Sequence, residues 1–326
     1  MTGALHAEND YILLTGRSNP ELAKKVGAIL KKDIFEPVSI FADGEIRVNI
    51  QPNLRRSHVF IIQPTAWPHV NDYLMELVFM IDAARRASAS EIIAVLPYFG
   101  YQRQDRKEMP RVPISSSVVA NIIEQVGANR IVTIDIHSEQ QEGFVQAPWD
   151  NLYASYALIP ALKKRNFTNL VVASPDKGGV LRATGYAKLL KASGVAIVYK
   201  ERDINVNDAL SESQTLIGDI KGKDVLLVDD LVSTGGTIIN AANYIKESGA
   251  KSVRAAVTHG LFTGSALKKI EESSIEEFIV TDTILTRTEV AKHPKITVVS
   301  VAPLLAEAIR RVETGESLSS TLFLKT

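Results

Sequence analysis

Two periods alternate along this chain. Short, mostly apolar runs without a polar face recur at Val59–Ile62, Glu91–Leu96, Arg130–Ile134, Leu170–Ala173, Val195–Tyr199, Val225–Val228, Ser252–Val257 and Glu277–Val280. Runs of this kind fit strands of a parallel sheet covered on both faces. Between them, apolar residues recur at helical spacing. Leu22, Val26, Ile29 and Leu30 form one stripe, behind an Asn19 cap and Pro20 in the first turn, and Leu74, Leu77, Val78 and Ile81 form another within Asn71–Arg86. Further helices are predicted over Ile114–Val126, Thr237–Glu247 and Ser265–Glu271, with a strand at Tyr11–Leu14 and a hairpin around Asp43-Gly44. Strand, polar loop, helix, strand and Asp come in that order in both halves. The pattern therefore predicts two similar α/β domains, residues 1–150 and 151–326, divided near Pro148–Leu152. Right-handed crossovers would place the ligand loops beyond the carboxyl ends of the strands.

One strand end carries the strongest chemical signal. Val225–Val228 runs into Asp229 and Asp230, then into the turn Ser233-Thr234-Gly235-Gly236-Thr237, then into a helix. Two glycines let a ligand approach the backbone, and N–H groups and hydroxyls at a helix start suit a phosphate. The adjacent carboxylates suit sugar hydroxyls or a hydrated Mg²⁺. An ordinary βα turn with a Thr cap has the same composition; the doubled acid favours phosphosugar binding. The segment resembles the 5-phosphoribosyl-pyrophosphate (PRPP) loop shared by phosphoribosyltransferases and ribose-phosphate pyrophosphokinases.

Four other polar stretches end strands. Tyr98 to Lys107 gathers Tyr98, Phe99 and Tyr101 with Arg103, Arg106 and Lys107, a set that could grip a nucleotide or form a solvated basic loop. Asp135-Ile136-His137 would put Asp135 and His137 on one face if the strand continued, where they could share a divalent ion or form a structural hydrogen bond. Ser174-Pro175-Asp176 supplies a possible companion, beside Lys177, which could serve phosphate or pair with Asp176. Lys200-Glu201-Arg202 opens Asp203–Gln214, a polar segment predicted to be a mobile loop whose cations could swing over a phosphoryl group.

Composition removes several classes. Lys and Arg total 37 and Asp and Glu total 37, so no overall field attracts nucleic acid or an anionic membrane. Cysteine is absent, which excludes disulfides and thiolate metal sites. Neither a secretory pattern in the first ten residues nor an apolar run of membrane-spanning length is present, so a cytoplasmic protein is expected.

In this order the motifs resemble those of ribose-phosphate pyrophosphokinases, the PRPP synthetases, from about Leu14 to Phe323. They are Phe41-Ala42-Asp43-Gly44-Glu45, Pro97 to Tyr101 with Arg103-Gln104-Asp105-Arg106, Asp135-Ile136-His137, Ser174-Pro175-Asp176, Lys200-Glu201-Arg202 and Asp229–Thr237, followed by Leu305–Arg311 and Gly315-Glu316-Ser317. The resemblance implies two phosphoribosyltransferase-like domains and transfer of the β,γ-diphosphoryl group of ATP to ribose 5-phosphate. It implies that Phe41, Asp43 and Glu45 hold adenine from a neighbouring subunit, while Arg103, Gln104, Arg106 and His137 grip ATP. His137 and Asp176 would bind Mg²⁺. Asp229 and Asp230 would take the ribose hydroxyls, Ser233, Thr234, Gly235, Gly236 and Thr237 the 5-phosphate, and Lys200 and Arg202 the transition-state charge. Arg55, Ser88, Ser317 and Ser319 look like a regulatory phosphate site. Dimers assembling into a homohexamer are implied, with the last helix a candidate to pack back on the first domain. Ser233 stands where many members carry Asp; Lys177, Ser117 and Asn53 also depart from the common pattern. A non-catalytic synthetase-like subunit and a phosphoribosyltransferase are the rival readings.

Overall fold

The computed structural model describes residues 11–202 and 212–319. The chain divides into two compact units: residues up to Tyr153 with Thr283–Leu285 and the stretch from Val301, and residues from Ala154 to Asp282 with Thr286–Ser300.

The first unit contains β1 (Ile12–Thr15), α1 (Pro20–Leu30), β2 (Ile34–Phe35), β3 (Val38–Ile40), β4 (Ile46–Val48), β5 (His58–Ile62), α2 (Val70–Arg86), β6 (Glu91–Leu96), α3 (Ser115–Val126), β7 (Arg130–Ile134) and β8 (Trp149–Leu152). Six strands form a parallel sheet in the order β2-β1-β5-β6-β7-β8; β3 and β4 make a separate antiparallel hairpin. The apolar runs are buried in full: Val59, Phe60, Ile61 and Ile62 of β5 and Ile93 to Leu96 of β6 have no exposed surface. Asn19 caps α1 as its sequence requires, its side chain accepting from Leu22 N at 3.3 Å, with Pro20 in the first turn.

Strand order reverses between β1 and β5, the place where a doubly wound sheet opens a crevice. Here the buried side chains of Gln63 and Glu76 lie together. Arg17 donates to Glu76 through Nε at 2.7 Å and through its backbone N at 2.9 Å, and Gln63 Nε2 donates to the same carboxylate at 2.9 Å. Glu76 is fully buried, and these donors satisfy its carboxyl oxygens. The candidate loops of this unit sit instead at the ends of β6 and β7.

The second unit contains α4 (Ser155–Leu162), β9 (Val171–Ser174), α5 (Val180–Leu190), β10 (Gly194–Arg202), β11 (Glu212–Ile217), β12 (Asp224–Val232), α6 (Gly236–Glu247), β13 (Ser252–Gly260), α7 (Ala266–Glu272), β14 (Glu277–Thr281), α8 (Thr288–Ala291) and β15 (Ile296–Val299). Its seven-stranded sheet runs β11-β10-β9-β12-β13-β14-β15. All pairs are parallel except β10 with β11. The fold class is therefore α/β with mainly parallel sheets flanked by helices. Order reverses between β9 and β12, so the ends of these strands, Ser174-Pro175-Asp176 and Asp229 onward, share a switch point. The final helix, α9 (Ala302–Thr314), clusters with the first unit and packs on α1.

Three sequence expectations change. Trp149–Leu152, read as an interruption, is a strand on the edge of the first sheet. Residues 212–217, read as the end of a loop and the start of a polar stretch, form β11. The remainder of the expected mobile loop, residues 203–211, lies outside the described residues. The strand before Asp229 does not stop at Val228 but continues to Val232.

Candidate active site

At the switch point of the second unit, Asp229 and Asp230 lie within β12, next to a shift in the neighbouring strand register between Val257 and His259. The Asp230 side chain is only 7% exposed and that of Asp229 16%. The Asp230 N–H donates to Asp229 Oδ1 at 2.9 Å. Burial, and then the charge of Asp230, push the Asp229 carboxyl well above its ordinary value, and Asp176 pushes it further. One cation opposes this. Arg182, on the first turn of α5, holds Nη1 at 3.7 Å from Asp229 and 3.8 Å from Asp230. Sequence reading missed Arg182. Its signal was position, an arginine three residues past the Gly178-Gly179 pair and so within the first turn of a helix that follows a ligand-type loop.

The turn after β12 is shaped by its glycines. Gly235 adopts a left-handed φ of +79°, and a Cβ there would meet Ile239 Cδ1 at 2.8 Å. A Cβ on Gly236 would meet nothing within 4 Å, so the turn opens onto free space at the start of α6. Thr234 and Thr237 are exposed beside it. The Ser233 hydroxyl lies 3.0 Å from that of Thr263, and the Thr263 N–H donates to Ser233 O at 3.0 Å, tying this turn to the loop after β13. Asp176 is exposed; its Oδ1 accepts from Gly179 N at 3.1 Å and shapes the entry to α5. Lys177 does not pair with Asp176: its Nζ stands over the Tyr199 ring, 3.7 Å from the centroid. Lys200 and Arg202 lie in β10, whose backbone pairs with β11; their side chains lie outside the described residues.

In the first unit, Phe41, Asp43 and Glu45 occupy the exposed tip of the β3–β4 hairpin, where Phe41 N donates to Glu45 O and Gly44 takes a φ of +93°. Phe41 is 46% exposed, with Arg47 over its ring. Arg103 and Arg106 are exposed in the loop after β6. Gln104 is also exposed, and its Oε1 accepts from Ser115 Oγ at 2.6 Å, so it braces the start of α3. The aromatics counted with this loop belong elsewhere. Tyr98 and Phe99 are buried, Phe99 edge-on to Trp149.

Asp135 and His137 do not share a face. β7 ends at Ile134 and Asp135 has a φ of +42°, so the chain turns: Asp135 is buried and His137 exposed. Gln102, 1% exposed, fixes this loop by accepting from His137 N at 3.0 Å, while its Nε2 is buried without a hydrogen-bond partner among the described residues. Of the regulatory set, Ser317 and Ser319 lie 2.9 Å apart, in a cavity of about 510 Å³ lined also by Arg130, Asp150 and Arg311. Arg55 and Ser88 do not line it; the Arg56 N–H donates to Ser88 O on another part of the unit.

Comparison with known proteins gives the family. The model of the N-terminal domain of ribose phosphate pyrophosphokinase matches residues 11–127, and that of the phosphoribosyl synthetase-associated domain matches residues 211–324. The ribose-phosphate pyrophosphokinase of Vibrio cholerae is 47% identical over 313 residues, covering 95% of this chain and 98% of its own length. The chain belongs to the ribose-phosphate pyrophosphokinase family. The enzyme of that name from Pasteurella multocida is 46% identical over 314 residues, again covering 95% of this chain and 98% of its own. The crystal structure of the phosphoribosylpyrophosphate synthetase of Mycobacterium smegmatis superposes with a TM-score of 0.87 at 38% identity, over 94% of this chain and 99% of that one. Matches to this one family thus fall in both halves of the chain.

No group of three or more metal-ligating side chains that could hold an ion occurs among the described residues. The donor set still fits Mg²⁺, which keeps several waters and takes one or two carboxylates rather than an all-protein cage. Asp176 is exposed and hard in its oxygen donors, and the unfavourable charge on the buried Asp229–Asp230 pair would be relieved by a nearby cation. No helix of the described residues is long and apolar enough to cross a membrane.

Proposed function

We propose that this chain transfers the β,γ-diphosphoryl group of ATP to the 1-hydroxyl of ribose 5-phosphate, giving PRPP and AMP. The carrying observation is the buried acid pair Asp229–Asp230 ahead of a glycine turn that opens onto free space. Such a pair accepts hydrogen bonds from ribose hydroxyls, and Ser233 to Thr237 present N–H groups and hydroxyls to the 5-phosphate. Arg182 offsets part of the repulsion between the two carboxylates, and so helps set the shape that the sugar meets.

The ATP side draws on the first unit. Arg103, Gln104 and Arg106 grip the nucleotide, with Phe41, Asp43 and Glu45 of a neighbouring copy at adenine. Exposure of that hairpin tip supports a role outside its own unit. His137 and Asp176 would hold Mg²⁺, which when bound neutralises charge on the phosphate oxygens. The sugar O1 attacks the β-phosphorus, the bond from that phosphorus to the α,β-bridging oxygen breaks, and AMP leaves as O1 loses its proton. Lys200 and Arg202 stabilise the charge that develops. A homo-oligomer follows from the shared adenine pocket. The cavity at Ser317 and Ser319 is a candidate for regulatory phosphate; Arg55 and Ser88 would have to join it from another copy.

AMP release with ATP, Mg²⁺ and ribose 5-phosphate, in the presence of phosphate, tests the reading. Release that needs all three substrates and ions is expected. Its absence would favour the non-catalytic, synthetase-like subunit.

Arg182→Gln is expected to lower stability by about 1–3 kcal/mol, because it leaves two buried carboxylates without their cation. Ribose 5-phosphate binding should weaken with it. Urea unfolding together with ligand titration reads both effects, and unchanged stability would remove Arg182 from the site.

Gln102→Leu is expected to release the loop that carries His137 and to raise the KM for ATP more than it lowers kcat. The buried amide has no other described partner, so removing it costs little packing. Steady-state kinetics with ATP varied checks this, and an unchanged KM would contradict it.

A further inference from the structure

One contact in the second unit joins two stretches that the proposed reaction uses separately. Lys177 Nζ stands 3.7 Å from the centroid of the Tyr199 ring, within reach of a cation–π interaction. Lys177 directly follows Asp176 in the loop between β9 and α5, and Tyr199 directly precedes Lys200 in β10. Each member of the contact is thus the chain neighbour of a residue with a proposed role.

Strand register explains how the two meet. β9 ends at Ser174, level with Ile197 of β10, and β10 runs on to Arg202. Tyr199 lies two positions past that last pair, beside the loop rather than beside β9. The loop needs an outside support, because Gly178 and Gly179 give its backbone wide freedom. Its hydrogen bonds stay within it: Ser174 Oγ donates to Asp176 O at 2.7 Å, and Gly179 N donates to Asp176 Oδ1 at 3.1 Å. These set the shape of the loop without tying it to the next strand. Among the described residues, the polar contact that ties it there is exposed Lys177 on half-buried Tyr199. Because the ring takes the ammonium, the adjacent Asp176 carboxylate stays exposed and open to a hydrated cation.

We propose that Lys177 and Tyr199 are positioning residues. Their contact latches the Asp176 loop to β10, and so fixes the carboxylate that receives Mg²⁺ relative to the strand that carries Lys200 and Arg202. The functional half of this rests on the proposed reaction, for the roles of Asp176 and Lys200; the latch rests on the contact alone. Lys177 departs from the common pattern of the family, which makes the latch a property of this chain.

Hydrogen exchange of the substrate-free chain reads the latch, and the Mg²⁺ dependence of AMP release reads its consequence. Tyr199→Leu removes the ring and leaves the loop sequence intact, while Lys177→Met removes the charge at similar length. Each should lower the protection of the amides of residues 176–179 by roughly 2- to 30-fold, the range that a cation–π contact commands. Each should also raise the Mg²⁺ concentration that gives half-maximal rate, with kcat at saturating Mg²⁺ changed less. Tyr199→Phe keeps the ring and Lys177→Arg keeps the charge, so both should match wild type. The double variant, Lys177→Met with Tyr199→Leu, should be no worse than either alone. Circular dichroism checks folding, and if Tyr199→Leu misfolds, Lys177→Met at its exposed position decides. Unchanged protection overturns the latch. Lost protection with an unchanged Mg²⁺ dependence overturns the positioning role. A defect in Lys177→Met that Tyr199→Leu does not share would make the lysine a phosphate ligand, and overturns the latch as well. A wild type that releases no AMP overturns the proposed reaction and the role of Asp176 with it, while the exchange data still judge the latch.

Discussion

Lys200→Ala is expected to slow turnover by roughly a hundredfold or more while ATP still binds. Phosphoryl chemistry asks the protein for alignment and charge neutralisation rather than covalent help, so a cation that meets only the developing charge contributes to the transition state and not to the ground state. Its backbone position agrees with that role: β10 lies beside β9, whose end leads to Asp176 at the switch point of the sheet. Single-turnover kinetics and calorimetric titration of ATP separate the two effects. Near-normal turnover would remove Lys200 from the reaction; lost ATP binding with unchanged chemistry would make it a binding residue instead.

Asp229→Asn is expected to move stability and activity in opposite directions. The Asn Oδ1 can still accept from Asp230 N–H, so local geometry is retained. The buried charge is not. In the folded chain the Asp229 carboxyl titrates well above its ordinary value of 3.8, chiefly through desolvation and then through Asp230. A raised acid destabilises the fold wherever it is ionised. Its penalty is absent below the ordinary carboxylate range, grows as pH rises toward the folded value, and is complete above it. The Asn variant should therefore melt higher by roughly a few degrees above neutral pH, with the difference vanishing near pH 4. Ribose 5-phosphate binding should fall sharply at the same time, since a neutral amide holds sugar hydroxyls less strongly than a carboxylate. Melting curves from pH 4 to pH 9 with ligand titrations check both. A variant less stable than wild type at pH 8 would show that the acid pair is not strained by its burial. Arg182→Gln should act in the opposite sense, and combining the two substitutions should recover part of the stability lost in that variant.

Most of the sheet was legible because parallel strands buried on both faces read as apolar runs. The strands that were missed have other work. In β8, Asp150 pairs with Arg130 and the Asn151 side chain accepts from Ile136 N, so half of this edge strand is polar for reasons of hydrogen bonding. β11 is an edge strand whose first four residues, Glu212 to Thr215, are all polar, and α4 carries Pro160 inside it, which hides its helical pattern. The candidate site divides in the same way. The Asp229–Thr237 turn was legible as a strand end leading through glycines into a helix, since acids, glycines and helix stand in one unbroken stretch. The Asp135–His137 pairing rested on a strand continuing, and a left-handed residue at Asp135 ends it, which no side-chain pattern reveals. Arg182 and Gln102 were invisible for a related reason. Arg182 reaches the acid pair of its own unit from a helix start, Gln102 fixes the loop that carries His137 in the other unit, and only the fold puts each there.

ATP labelled with ³²P at the β position tests the central claim most directly. Incubated with Mg²⁺ and ribose 5-phosphate, this chain should move the label to the sugar product in step with AMP formation. Label left in ADP, as in transfer of a single phosphoryl group, would contradict the assignment.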